Sequence, residues 1–380
     1  MLPADRGYGM PKAAKYKILH ELGTGGMGKV CKGMLVGQSG FQRPIVIKQL
    51  KTRDPHHVKL FVEEARRDAV LDHENIGRIF DFEDVEGEHC IILEHIDGWS
   101  LTEYLLRHRE LQRLPDVDLS VFIASRVCRA LQYVYERAHI VHRDISPSNV
   151  MMTREGAVKL IDFGIATRSG TRDSSLTGKP SYMAPEMVVE QRADHRSDIF
   201  SLGALLYEML TGEKLFSGRN TGEILEKVIG GRLPAPRAVN PSIPEAVAMI
   251  VRRALQREPS RRYESAGEMG EACEHYLYDK GYGPTNLTLK HYVTTLFPEP
   301  ELTIEPEATV RFAAVEATVL PPGPHAPEAG VEDPTLVAPL SSAYARVIAA
   351  RNALEPDPHK TPPSPAPPVP PRRGSKGARG

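Results

Sequence analysis

Apolar residues recur in two rhythms along the first three quarters of the chain. Short runs come first: Ile18-Leu19-His20-Glu21-Leu22, Lys29-Val30-Cys31-Lys32-Gly33, Ile45-Val46-Ile47-Lys48 and Cys90-Ile91-Ile92-Leu93. Runs of this length, rich in aliphatic and β-branched residues, predict strands. Between the third and fourth, roughly His57 to Leu71, a helix is expected with Phe61, Ala65 and Ala69 on its packed side and Glu64 at the border of that side. Beyond about residue 98 the rhythm becomes helical, over Val117 to Ala138, Ile199 to Leu210, Thr221 to Val228 and Pro244 to Gln256. Two short helices are expected between Ala272 and Phe297, around Lys280 to Pro284. Strands gathered in one half and helices in the other place the chain in the α+β class.

The end of the chain is different. From Pro298 onward it holds 18 of the 32 prolines. Such a segment buries too little apolar surface to offset its ordering entropy, so a disordered Pro-rich tail is expected over 298–380. A flexible N-terminus is expected over 1–15. The remainder, within an overall 41% hydrophobic and 26% charged residues, has the make-up of a globular core. A net charge of -1 gives no reason to expect a nucleic-acid partner. Cys31, Cys90, Cys128 and Cys273 lie far apart, which argues against a disulfide framework or zinc site and for a reducing compartment. The first residues do not read as a signal peptide, and no run of about 18 apolar residues occurs. A cytoplasmic protein without membrane insertion is the expectation.

Candidate chemistry concentrates in Ile140 to Asn149, where an apolar entry leads into His142-Arg143-Asp144-Ile145-Ser146-Pro147-Ser148-Asn149. Pro147 fixes φ and removes a donor, and Ser and Asn favour turns, so the stretch is a loop on a rigid base. A carboxylate there can accept a hydroxyl proton, and a carboxamide oxygen can ligate a hard cation. Leu160-Ile161-Asp162-Phe163-Gly164 delivers a second carboxylate at the end of an apolar strand. Upstream, Gly23-Thr24-Gly25-Gly26-Met27-Gly28 lies between two predicted strands, and its N–H groups can cover phosphate oxygens. A strand rather than a helix follows it, which disfavours a dinucleotide site. Lys48 ends a buried-looking strand and needs a partner, for which Glu64 is placed.

In this order the pieces resemble the protein-kinase superfamily, most closely the eukaryotic-like, Hanks-type Ser/Thr kinases of bacteria. The resemblance implies a two-lobed fold: a β-rich lobe over 16–93, a hinge over 94–98 and a helical lobe over 99–272, followed by a helical extension over 273–297. It implies that Gly23, Gly25 and Gly28 cover the phosphates of ATP, with Lys48 on the α- and β-phosphates and Glu64 as its helix partner. Leu93 stands at the gatekeeper position, the backbones of Glu94 and Ile96 where adenine is held, and Leu22, Val30, Val46 and Met151 around the base. Asp144 takes the role of base, while Asn149 and Asp162 take that of ligands to Mg²⁺, or to Mn²⁺ in its place. Glu186 is expected to pair with Arg262, and Asp198 to brace the catalytic loop.

Several positions depart from the family pattern. Ser146 stands where most Ser/Thr kinases carry a Lys that reaches the γ-phosphate, and Lys179 stands where they carry a Thr that bonds that Lys. Hydroxyl and ammonium have exchanged ends of one contact, and Lys179 is expected to fold back over Asp144 and Ser146. Val46 replaces the usual Ala on the adenine face, Asp68 an apolar helix residue, and Phe41 sits in an enlarged turn. Thr171, Ser174, Ser175 and Thr177 are candidate phosphorylation sites in the activation segment, with Arg143 as the receiving cation. In the tail, Thr303, Thr309, Thr318 and Thr335 each follow an acidic residue by two and precede an aliphatic one. Phosphorylated, they would suit a forkhead-associated or similar phosphothreonine reader. Protein hydroxyls are the expected acceptors. A pseudokinase scaffold and a tyrosine or dual-specificity kinase remain as alternatives.

Overall fold

A computed structural model describes residues 15–25, 28–37, 40–50, 58–59, 61–63, 65, 69–85, 88–163, 167–168 and 178–298. Five antiparallel strands form the first sheet: β1 (Tyr16–Gly25), β2 (Gly28–Val36), β3 (Gln42–Leu50), β4 (Ile79–Val85) and β5 (Glu88–Glu94), in the order β1-β2-β3-β5-β4. Alternation along β3 divides its two faces. Ile45 and Ile47 join Cys31, Cys90 and Ile92 on one side, while Leu50 meets Phe61, Ala65 and Ile91 on the other. Lys48 is thereby carried on the face that bears Val46 and Leu50, as the period of two requires.

Described residues between 58 and 65 are helical, with Phe61 and Ala65 buried as expected. Ala69 corrects the reading of that helix face, because it lies exposed in a turn. Glu64 and Asp68 fall outside the described residues, as do Thr171, Ser174, Ser175, Thr177, Thr303, Thr309, Thr318 and Thr335. In the enlarged turn, the Gly37 N–H donates to the Phe41 carbonyl at 2.8 Å and the Phe41 ring lies against Gly37, so the insertion closes on itself.

A short strand, β6 (Gly98–Ser100), follows the connector and pairs with β8 (Val150–Thr153), which pairs with β9 (Val158–Leu160). Strand β7 (Ile140–Val141) pairs with β10 (Thr167–Arg168). Beyond β5, the helices among the described residues are α1 (Leu101–Glu110), α2 (Val117–Ala138), α3 (Pro185–Val189), α4 (His195–Thr211), α5 (Thr221–Gly230), α6 (Pro236–Val239), α7 (Glu245–Ala254), α8 (Ala266–Tyr278) and α9 (Asn286–Leu296). Asp116 caps the start of α2 through the Leu119 N–H, and His139 ends it in the left-handed region. Helix α4 is buried along nearly its whole length and forms the axis of the helical core.

The expected boundary between residues 272 and 273 falls inside α8, which begins at Ala266. Leu289, Val293 and Leu296 of α9 belong to the same core as α2 and α4. Phe297 stacks on Trp99 at 4.7 Å between centroids, so the extension ends beside the segment that follows the connector.

Candidate active site

The loop from β7 to a single 3₁₀ turn, Pro147–Asn149, is held from several directions. Asp198, in the first turn of α4, accepts the N–H of His142 at 2.7 Å and of Arg143 at 2.8 Å. Burial pushes its carboxyl above the usual range, and His142 and Arg143 oppose that push. The His142 ring accepts the Asp144 N–H on Nδ1 at 3.3 Å, leaving Nε2 to donate to the Ile161 carbonyl at 3.1 Å. It packs 4.6 Å from the Phe163 ring. The Asn149 carbonyl accepts the Ile161 N–H at 2.9 Å. Arg143 and Asp162 both adopt left-handed backbone, φ 69° and 62°. Each costs roughly 1–3 kcal/mol and persists only where its surroundings over-determine it.

These anchors bring Asp144, Asn149, Lys179 and two serines into one closed hydrogen-bonded ring. Asp144 Oδ2 accepts from Asn149 Nδ2 at 2.8 Å, and Asp144 Oδ1 accepts from the Lys179 backbone N–H at 3.1 Å. Lys179 Nζ donates to Ser146 Oγ at 3.0 Å and also to Ser148 Oγ. Ser148 Oγ in turn donates to Asn149 Oδ1 at 3.0 Å. Lys179 reaches this position because Gly178 turns with φ 102° directly against the Arg143 carbonyl, where a Cβ would stand 2.7 Å away.

Across the cleft, Lys48 Nζ lies 3.0 Å from Asp162 Oδ1. Val30 is paired opposite Lys48, and Val46 opposite Leu93. Val30, Val46, Leu93, Ile96 and Met151 are all half-buried, whereas Leu22 and Gly23 are exposed. The hairpin places Gly25 opposite Gly28. Glu94 spends its carboxylate on Lys159 Nζ, 3.1 Å away, and on the Arg78 N–H.

Sequence reasoning missed two groups. Ser148 had no signal of its own, since its partner lies 31 residues downstream. Tyr182 donates to buried Glu208 at 2.5 Å, and Glu208 also accepts from Arg109 at 2.7 Å. Burial, reinforced by Glu208, pushes the Tyr182 phenol far up. This network ties the end of the activation segment to α4 and α1. Beside it, Arg262 makes two 2.7 Å bonds to Glu186 with no side-chain exposure of its own. Among the described residues no cluster of three or more His, Cys, Asp or Glu is placed to hold a metal, and no helix is long and apolar enough to cross a membrane.

The chain is similar over 305 residues to the tyrosine-protein kinase MasK of Myxococcus xanthus, at 35% identity, covering 76% of this chain and 47% of that protein. It is 33% identical to the serine/threonine-protein kinase PrkC of Bacillus subtilis, over 68% of this chain and 40% of the relative. A probable serine/threonine-protein kinase of Streptomyces coelicolor is 36% identical over 71% of this chain and 41% of its own length. The chain thus spans less than half the length of each of these relatives. The family model described as protein kinase domain matches residues 16–277, which contain every side chain of the ring, and the chain belongs to that family.

Proposed function

We propose that this chain transfers the γ-phosphate of ATP to Ser or Thr hydroxyls of proteins. The observation that carries the reading is the convergence of Asn149 and Lys179 on Asp144, opposite the Lys48–Asp162 pair. Asp144 is the base: two donors fix its carboxylate, and each oxygen keeps a lone pair for the acceptor's proton. As the acceptor oxygen bonds to phosphorus, the bridging P–O bond breaks and ADP leaves. Lys48, with Glu64 as its helix partner, engages the α- and β-phosphates, and Lys179 supplies the cation at the γ-phosphate that Ser146 cannot. Gly23, Gly25 and Gly28 cover the phosphates. Leu22, Val30, Val46, Leu93 and Met151 enclose adenine, with the backbones of Glu94 and Ile96 at its edge.

Asn149 Oδ1 and the Asp162 carboxylate are hard oxygen donors that suit Mg²⁺ or Mn²⁺. Asn149 Nδ2 is committed to Asp144, so the carboxamide presents its oxygen on the other side. A divalent ion held there neutralises phosphate charge.

The reading places the chain in the cytoplasm, where ATP and reduced thiols are found. Autophosphorylation falls on Thr171, Ser174, Ser175 or Thr177 of the activation segment, and phosphorylation of Thr303, Thr309, Thr318 and Thr335 recruits a phosphothreonine reader of the forkhead-associated kind. A tyrosine acceptor is the second reading, favoured by the name of the Myxococcus relative and by the lack of a catalytic-loop Lys. Incubation with labelled ATP and Mg²⁺, followed by phosphoamino-acid analysis, separates the two. Labelled Ser or Thr is expected, falling roughly 10²- to 10⁴-fold in Asp144→Asn. Phosphotyrosine alone, or full labelling by Asp144→Asn, would overturn the proposal.

A further inference from the structure

We infer that Ser148 is a positioning residue: one hydroxyl orients the metal-facing carboxamide of Asn149 and seats the ammonium of Lys179. The inference rests on the phosphotransfer reading above. A hydroxyl has one proton and two lone pairs. Ser148 spends its proton on Asn149 Oδ1, 3.0 Å away, and accepts from Lys179 Nζ with a lone pair. Donation by a cation polarises the hydroxyl and strengthens the bond it donates onward.

The opposite end of the same carboxamide is fixed on Asp144, through Nδ2 at 2.8 Å to both the backbone carbonyl and Oδ2. Asn149 is therefore held at both ends, and its oxygen has one direction left open. Ser146 cannot replace Ser148 here. It contacts Lys179 at 3.0 Å and Ser148 at 3.3 Å, and it is fully buried. Among the described residues, Ser148 is the side chain that bonds both the Lys179 ammonium and the Asn149 carboxamide.

The consequence is regulatory. Lys179 lies at the C-terminal end of the activation segment, and its backbone N–H closes the ring on Asp144 at 3.1 Å. Seating of Lys179 and orientation of the metal ligand then become one event, because both pass through the Ser148 oxygen. A chain with its cation on the catalytic loop would not have this link.

The test uses the full chain, as wild type, Ser148→Ala and Ser148→Thr, titrated calorimetrically with a non-hydrolysable ATP analogue with and without Mn²⁺. Loss of an outer-shell partner typically costs about 10-fold or more in metal affinity. Ser148→Ala is expected to bind the Mn²⁺ complex about 10-fold more weakly and to lose clearly less for the metal-free analogue, because Ser146 still holds Lys179, with the Mg²⁺ requirement for phosphate transfer rising in step. Ser148→Thr, which keeps the hydroxyl, is expected to restore the wild-type metal preference. Equal affinity of Ser148→Ala and wild type for the Mn²⁺ complex would overturn the inference. So would an equal loss with and without metal, or a Thr variant that behaves as Ala. The phosphotransfer reading fails separately: full transfer by Asp144→Asn removes that reading, whereas a normal Ser148→Ala beside an inactive Asp144→Asn removes only the role of Ser148.

Discussion

The hairpin turn between β1 and β2 and the loop between β7 and β8 both carry residues that the proposed mechanism uses, and they are built in opposite ways. In the loop, His142, Arg143, Ser146 and Asn149 are buried, and Asp198, Ile161 and Lys179 each bond to it. In the hairpin, Leu22 and Gly23 stand exposed, and the pair Glu21–Lys29, one side-chain tie across it at 3.1 Å, is partly exposed. Catalysis by charge placement needs donors fixed before the reaction, because reorganising them costs barrier height. A cover that must admit and release a nucleotide needs the reverse. On the proposed mechanism, the difference separates residues that set a rate from residues that set access.

Breaking the braced side should have the largest effect on stability. Arg262→Ala leaves Glu186 buried without its cation and is expected to cost about 3–5 kcal/mol in chemical denaturation. A cost under about 1 kcal/mol would show that the end of the activation segment is held by something else. On the open side the glycines sharpen the contrast, because they do not serve the same end. A Cβ at Gly28 would stand 1.9 Å from the Gln49 carbonyl oxygen, whereas one at Gly23 would meet nothing within 4 Å. Gly28→Ala is therefore expected to lose about 1–3 kcal/mol of stability through strain in the sheet. Gly23→Ala is expected to stay within about 0.5 kcal/mol and to act on KM for ATP alone. Equal losses at the two positions would erase the distinction between a packing glycine and an access glycine.

Legibility followed the range of the interaction. Helix α2 could be read to its last residue, because Asp116 caps it and a continuous apolar period fills it. The start of α8 was missed although Ser265 and Glu268 announce it, with the Glu268 N–H donating to Ser265 Oγ at 3.1 Å. The run that follows, Ala266-Gly267-Glu268-Met269-Gly270, carries two helix-weakening glycines that hid the pattern. Ala69 was misplaced because spacing on a helix says nothing of where that helix stops. Asp144, Asn149, Asp162 and Lys48 were legible as an ordered set, and the contact of Lys179 with Ser146 was inferable from the exchange of residue types between two motifs. Ser148, Glu208 and Arg109 were not, because each acts through a partner far away in sequence and none breaks a local rule.

The exchange of hydroxyl and ammonium between residues 146 and 179 is the point on which the site turns, and moving the charge back tests it. Single-turnover phosphate transfer would be compared in wild type, Lys179→Thr and the double variant Ser146→Lys/Lys179→Thr. The account predicts a loss of roughly 10²- to 10³-fold for the single variant, the usual cost of removing one preorganised donor, and recovery of most of it in the double variant. A fully active Lys179→Thr, or a double variant as slow as the single, would contradict it.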